Sequence, residues 1–235
     1  MRNYEKWFWI EKNIWNNSFH YEEREKKWEK LKIYVAKLIE WTIKDIKIWE
    51  NPSIRGKNEN NKIIFYNWLK NFVKIKWKQI YIFDNHNHAL YFWYIMQEKY
   101  LLKKWANLIH IDQHSDLKDW KHIENINIEN IFYLTNYILN VWNYIIPAQK
   151  MWIISNNIQV RTNYKLKEIV SKNFDKESTI LNIDLDFWHP DMINDDEKIN
   201  NVKKIIDKIK YITISTSPYF IDQKIAINIL KKLLQ

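Results

Sequence analysis

The stretch IHIDQHSDL (109–117) sets Asp112, His114 and Asp116 on alternate residues directly after an apolar run, with His110 inside that run. Alternate side chains of extended chain share a face, so these three can project into one site. Two carboxylates buried together raise each other's proton affinity unless a cation neutralises them, and acidic groups are seldom buried without a partner. A divalent metal ion meets that need. His110, alone on an apolar strand, reads instead as a hydrogen-bonded core histidine.

The elements that would position these residues follow a regular alternation. QIYIF (79–83), NLIHI (107–111), WIIS (152–155), TILNIDLDF (179–187) and YITIS (211–215) read as strands. Between and after them, 88–104, 129–140, 163–174, 195–210 and 222–234 carry helical spacing. Short, nearly continuous apolar strands separated by helices imply a mainly parallel sheet covered on both faces, a three-layer α/β/α fold. Residues 21–50 also carry apolar positions three and four apart and read as helical, and 51–61 as a polar loop holding Gly56, the only glycine. With no linker-like stretch, the expectation is one domain over 1–235: a helical N-terminal region and loop over 1–62, and a metal-binding core over 63–235.

In such sheets the ligand site lies beyond the carboxyl ends of the strands. Three of these ends carry ligand-type side chains: Asp84, His86 and His88; Asp112, His114 and Asp116; Asp184 and Asp186. That is enough carboxylate to bridge two divalent cations, and an oxygen-rich set with imidazoles suits Mn²⁺, with Fe²⁺, Co²⁺ and Zn²⁺ as competitors. Paired metals generate a nucleophile from water at neutral pH and polarise the group it attacks, so the expected reaction class is metal-assisted hydrolysis. Blander readings stand beside this one. Asp84 before a helix is an ordinary cap, His20 and His122 taken singly are surface residues, and NDDEK (194–198) is a solvated, acid-capped helix start.

Together these segments resemble a family. IHIDQHSDL resembles the Asp-x-His-x-Asp motif of the arginase and ureohydrolase fold, LNIDLDFWHP its later Asp-x-Asp motif, and DNHNHAL the segment that supplies its first histidine ligand, which implies a three-layer α/β/α fold of the arginase/deacetylase type. With NYIIPA (143–148) and ITISTSPYFID, the ordered set over about 79–222 is similar to the peptide arginases and their relatives. The resemblance implies hydrolysis of peptidyl-arginine to peptidyl-ornithine plus urea, with an arginine-containing peptide as partner and two metal ions, Mn²⁺ by preference. It makes Asp112 and Asp184 bridging ligands, with Asp116 and His88 completing one metal's shell and His114 and Asp186 the other's. His86 is the rival to His88 and otherwise a catalytic residue; His122 and His189 are the proton-transfer candidates. Asp84 would contact substrate, and so would Ser215, which stands where arginases place a glutamate that gathers free guanidinium. The competing readings are a deacetylase-like amidohydrolase using one metal and a basic nucleic-acid-binding protein whose acidic cluster is structural.

Composition bounds these alternatives. The net charge of +9 is spread among Asn, Ile and Glu rather than gathered into a stripe, which disfavours nucleic acid as the partner. Absence of cysteine excludes thiolate metal sites and disulfides, and no segment is a signal or membrane-spanning stretch, so the expected setting is the cytoplasm without membrane attachment. One glycine stands beside fourteen tryptophans, where average usage of about 7% predicts roughly 16 glycines. Trp77, Trp105 and Trp152 each fall between a helical stretch and a strand, where a left-handed backbone favours glycine. The expectation drawn from this is a gene whose UGA codons specify glycine but have been written as tryptophan; the alternative, a naturally tryptophan-rich core, leaves the missing glycines without a reason.

Overall fold

The computed structural model describes residues 3–11, 33–51, 53–57, 62–75, 78–99, 101–118, 130–192 and 196–235. Its centre is a seven-stranded sheet. The strands, in chain order, are β1 (Phe8–Ile10), β2 (Ile33–Val35), β3 (Leu38–Trp41), β4 (Ile54–Lys57), β5 (Ile63–Tyr66), β6 (Phe72–Ile75), β7 (Gln79–Phe83), β8 (Ala106–Ile111), β9 (Ile154–Val160), β10 (Thr179–Asp184) and β11 (Tyr211–Ser215). The sheet order is β3-β6-β7-β11-β10-β8-β9, all neighbours parallel except the β6/β7 pair. β1 with β2 and β4 with β5 form separate antiparallel ribbons.

Alternation along the strands builds two apolar layers. On one face Tyr81, Phe83, Leu108, Ile180 and Tyr211 meet α1 (His88–Glu98), the short α2 (Ile131–Tyr133) and α3 (Ile145–Lys150). On the other, Ile80, Ile82, Ile109, Leu181, Ile183, Ile212 and Ile214 meet α4 (Asn163–Val170), α5 (Asp196–Lys208) and α6 (Gln223–Leu234). The result is the expected three-layer α/β/α arrangement. Each such side chain, taken wholly out of water, contributes roughly 1.5–3 kcal/mol before chain entropy is subtracted. No helix among the described residues is long and apolar enough to cross a membrane.

The N-terminal expectation fails where it can be checked. Residues 12–32 lie outside the described set, but from Ile33 onward the segment expected to be helical forms β2, β3 and a 3₁₀ turn at Ile43–Asp45. β3 gains a parallel partner in β6 at the sheet edge, and pairing of this kind overrides weak helical spacing. The expected loop over 51–61 contains β4, and Gly56 sits inside it opposite Ile64. Three boundaries also move. The first core helix stops at Glu98, where Leu101 and Leu102 fold back to the Met96 carbonyl; β9 runs on through polar Asn156, Asn157 and Gln159 as an edge strand; β10 ends at Asp184.

Trp105 and Trp152 have φ of 62° and 59°, the left-handed region. Trp152 lies just past the C-terminal cap of α3, and Trp105 immediately precedes β8. Their rings are more than half exposed and stack on each other with centroids 4.4 Å apart. The backbone thus asks for glycine at both positions. Trp77 lies outside the described residues.

Candidate metal centre

The register brings four strand ends to one rim. Ser215 aligns with Asp184 on one side and with Phe83 on the other, and Ile183 aligns with Ile111. Asp84 and Asp112 are therefore the first residues beyond β7 and β8, at the level where β10 ends in Asp184. Past β8 the chain turns back through Asp116, whose φ of 54° is a left-handed conformation that Asp tolerates better than most residues. Past β10, one oxygen of Asp184 accepts from the Asp186 amide at 3.1 Å and starts the 3₁₀ turn Leu185–Trp188. That turn aims Asp186 back toward β8, where it accepts from the Gln113 amide at 3.3 Å. Lys198 of α5 reaches the Phe187 carbonyl and ties the turn down from outside. It is 1% exposed, so the expected solvated helix start is buried at this residue.

Three groups of donor atoms result, each with its members within 4.8 Å of one another: His86, Asp112 and Asp184; His110, Asp112 and Asp116; Asp112, His114 and Asp186. Nδ1 of His86 touches Oδ2 of Asp184 and lies 3.8 Å from Oδ2 of Asp112. Its Nε2 lies 3.6 Å from Oδ2 of Asp116. Nδ1 of His114 lies 2.7 Å from Oδ2 of Asp186 and 3.6 Å from Oδ1 of Asp112. All these residues are buried except His114, whose side chain is 37% exposed and stands beside the Phe220 ring.

Several of these buried atoms have no hydrogen-bond partner: Nε2 of His86, Nε2 of His110, Oδ2 of Asp112 and both carboxylate oxygens of Asp116. Leaving such atoms unpaired costs on the order of 1–3 kcal/mol each, more for charged groups. Oxygen and imidazole donors this close, with lone pairs unspent, suit one or two hard or borderline divalent cations.

The electrostatics show what balances the carboxylates when protons alone are available. Burial works to lower the pKa of His86, but Asp116, Asp184 and Asp112 together raise it well above the usual range. Hydrogen bonding to Asp112 and then Asp186 pushes His114 up to about 10. For His110, burial is outweighed by Asp112 and Asp116 and the pKa rises to about 9, although the Asn182 amide nitrogen 3.0 Å from its Nδ1 opposes a second proton. Asp112 is held well below the carboxylate range despite burial by His110, His114 and His86. Burial, Asp184 and Asp112 push Asp186 well up. Protons on imidazoles thus occupy the electrostatic role that metal ions would take over.

No protein-family model and no curated protein matches the chain. Among solved structures, it is similar to a hypothetical agmatinase from Burkholderia thailandensis, at 14% identity and a TM-score of 0.45 over 66% of this chain and 55% of that one. It is also similar to the agmatine ureohydrolase of Thermoplasma volcanium, at 12% identity and a TM-score of 0.41 over 70% of this chain and 61% of that one. The chain spans less than two thirds of either.

Asp112, His114, Asp116, Asp184 and Asp186 come together as the motif spacing suggests. The histidine from the first strand end is a correction. His86, not His88, meets Asp112, Asp116 and Asp184, because His88 opens α1 with its ring turned onto Phe72 and Tyr4 and its Nε2 beside Asp84, while His86 lies in the turn before it and faces inward. Asp84 caps no helix. Its Oδ1 accepts from the Asn85 amide at 2.7 Å and lies 3.4 Å from Nε2 of His88, while its buried Oδ2 has no hydrogen-bond partner. Ser215 is buried beside Asp184, its hydroxyl 3.4 Å from the Ile183 carbonyl. His189 joins none of the donor groups and pairs with Asp191 at 3.2 Å. His122 lies outside the described residues. Tyr4, which bonds His88, carries no motif that would single it out in the sequence.

Proposed function

We propose that this protein is a metal-dependent hydrolase of the guanidinium C–N bond, converting peptidyl-arginine to peptidyl-ornithine and urea. The observation that carries the reading is the convergence of Asp112, Asp116, Asp184, Asp186, His86 and His114, with buried lone pairs left unspent, at the carboxyl rim of a mainly parallel sheet. The motif resemblance supports the substrate class. Divalent metal held there, Mn²⁺ by preference, would lower the pKa of a water molecule and stabilise charge developing at the carbon it attacks.

The chain's own residues supply the rest. Asp84 offers a buried carboxylate oxygen without a hydrogen-bond partner, chemistry that suits a guanidinium with several N–H donors. It supplies the negative charge that Ser215 cannot. Substrate enters past the half-exposed His114 and Phe220, whose ring lies 5.1 Å from His114 and 6.4 Å from His86. Overall, water adds to the guanidinium carbon, the bond from that carbon to the side-chain nitrogen breaks, the nitrogen leaves as the ornithine amine with a proton, and urea is released.

The test is metal content together with urea release from an arginine-containing peptide and from free arginine, for the wild type and for Asp112→Ala and Asp184→Ala. Two metal ions per chain and urea from the peptide, both lost in the variants, are expected. One metal per chain and release of acetate from an acetyl-lysine peptide would favour the deacetylase-like reading. A folded wild type that takes up no metal refutes both.

A further inference from the structure

Directly beneath the donor cluster a polar row crosses the middle of the sheet. His110 on β8 is in register with Asn182 on β10, and Asn182 with Thr213 on β11; all three are fully buried. They occupy the face covered by α1 and α3, two positions before Asp112, Asp184 and Ser215 on the same strands. Apolar residues fill this layer on either side, so the row needs an explanation beyond packing.

Its hydrogen bonds have a direction. The indole N–H of Trp93, a group that can only donate, reaches Oγ1 of Thr213 at 3.1 Å. Thr213 then spends its own proton on Oδ1 of Asn182 at 2.7 Å. The Asn182 amide is thereby oriented with its NH₂ toward the Tyr144 hydroxyl at 2.8 Å and Nδ1 of His110 at 3.0 Å. An N–H aimed at Nδ1 makes that nitrogen an acceptor, and the ring proton must sit on Nε2. Nε2 lies 3.2 Å from Oδ2 of Asp112 and 3.5 Å from Oδ2 of Asp116, within reach of both but hydrogen-bonded to neither in the metal-free fold.

We infer that His110 is a positioning residue: Trp93, Thr213 and Asn182 lock its imidazole as the Nε2–H tautomer, which holds one N–H close beside Asp112 and Asp116 for these carboxylates to turn onto as they receive metal. This rests on reading Asp112 and Asp116 as metal ligands. His110 is then a neighbour that orients ligands and not a ligand itself, since a protonated Nε2 has no lone pair to give.

The experiment uses the full chain loaded with Zn²⁺, a diamagnetic probe, and ¹⁵N imidazole NMR assigned by comparison with His110→Gln. A proton on Nε2 with Nδ1 bare is expected. A proton on Nδ1 overturns the inference, because Asn182 would then be turned end for end. Calorimetric titration of Zn²⁺ supplies the second readout. His110→Phe, which has no donor, should bind about 10–100-fold more weakly, and His110→Gln, which restores an N–H at the Nε2 position, should recover most of the loss. If His110→Phe is folded and binds like the wild type, the positioning role is refuted while the metal centre stands. If the wild type itself binds no Zn²⁺, the metal reading fails and the positioning role falls with it.

Discussion

The hydroxyl of Tyr4 lies 2.7 Å from Nδ1 of His88, and this contact holds the helix-opening histidine away from the carboxylates that His86 meets. The two histidines therefore separate by experiment. His86→Ala should lose bound metal by elemental analysis, with affinity down at least about 10-fold if the imidazole is a ligand. His88→Ala should keep its metal but lose about 1–2 kcal/mol of stability in urea, because the buried Tyr4 hydroxyl loses a partner. Metal lost from His88→Ala and retained by His86→Ala would reverse the assignment.

Proton linkage gives a second expectation. His114 is pushed up to about 10 in the metal-free fold, against about 6.5 in an unfolded chain. A raised histidine pKa contributes stability that is complete below about 6.5 and is lost as the pH climbs through the folded value. The urea midpoint of the metal-free protein should therefore fall between about pH 6.5 and 10. Metal affinity should rise over the same range, because imidazole ligands must shed their protons to bind. A midpoint that climbs with pH would show that the imidazoles are not what balances the carboxylates.

Asp186 sits where its charge is costly, held up by burial and by Asp184 and Asp112. Asp186→Asn keeps the shape and removes the charge. It should raise the thermal midpoint of the metal-free protein while lowering metal uptake. Loss of both stability and metal would mean that the His114–Asp186 contact, 2.7 Å long, outweighs the repulsion.

Trp105 and Trp152 pay for left-handed backbone at about 1–2 kcal/mol each, and their stacked pair returns about 0.5–1.5 kcal/mol. The double variant Trp105→Gly, Trp152→Gly should therefore be more stable by about 1–2 kcal/mol in chemical denaturation. Sequencing of the gene offers an independent check, since UGG at these positions would end the codon explanation.

How far the site was legible depends on whether its information is local. The Asp112/His114/Asp116 and Asp184/Asp186 sets are legible as motifs, but alternation is not what gathers the first: β8 ends at Ile111 and the chain turns back through Asp116, whereas the second rests on a turn capped by its own carboxylate, a local effect. β7 and β11 are equally plain, because they are buried on both faces and are built mainly of Ile, Tyr and Phe, with Thr213 the polar exception inside β11. The choice between His86 and His88 is not local. It turns on Tyr4, far off in sequence, filling the space beside His88. β9 hides for a related reason: Asn156, Asn157 and Gln159 suit an edge strand and imitate a loop. β3 became a strand through its pairing with β6, a partner invisible to helical periodicity.

The order of the strands has a kinetic consequence. Gln79 pairs with Tyr211, and Thr179 with Asn107, so the rim that gathers the carboxylates exists only after segments distant along the chain have closed long loops. Loop-closure entropy must be met before such pairings return anything, which makes this a slow-folding topology. Asp112 and Asp184 would meet late, and their repulsion falls on the final assembly of the sheet. A divalent cation present during refolding should therefore act chiefly by slowing unfolding of the finished rim, leaving the early rate of collapse unchanged.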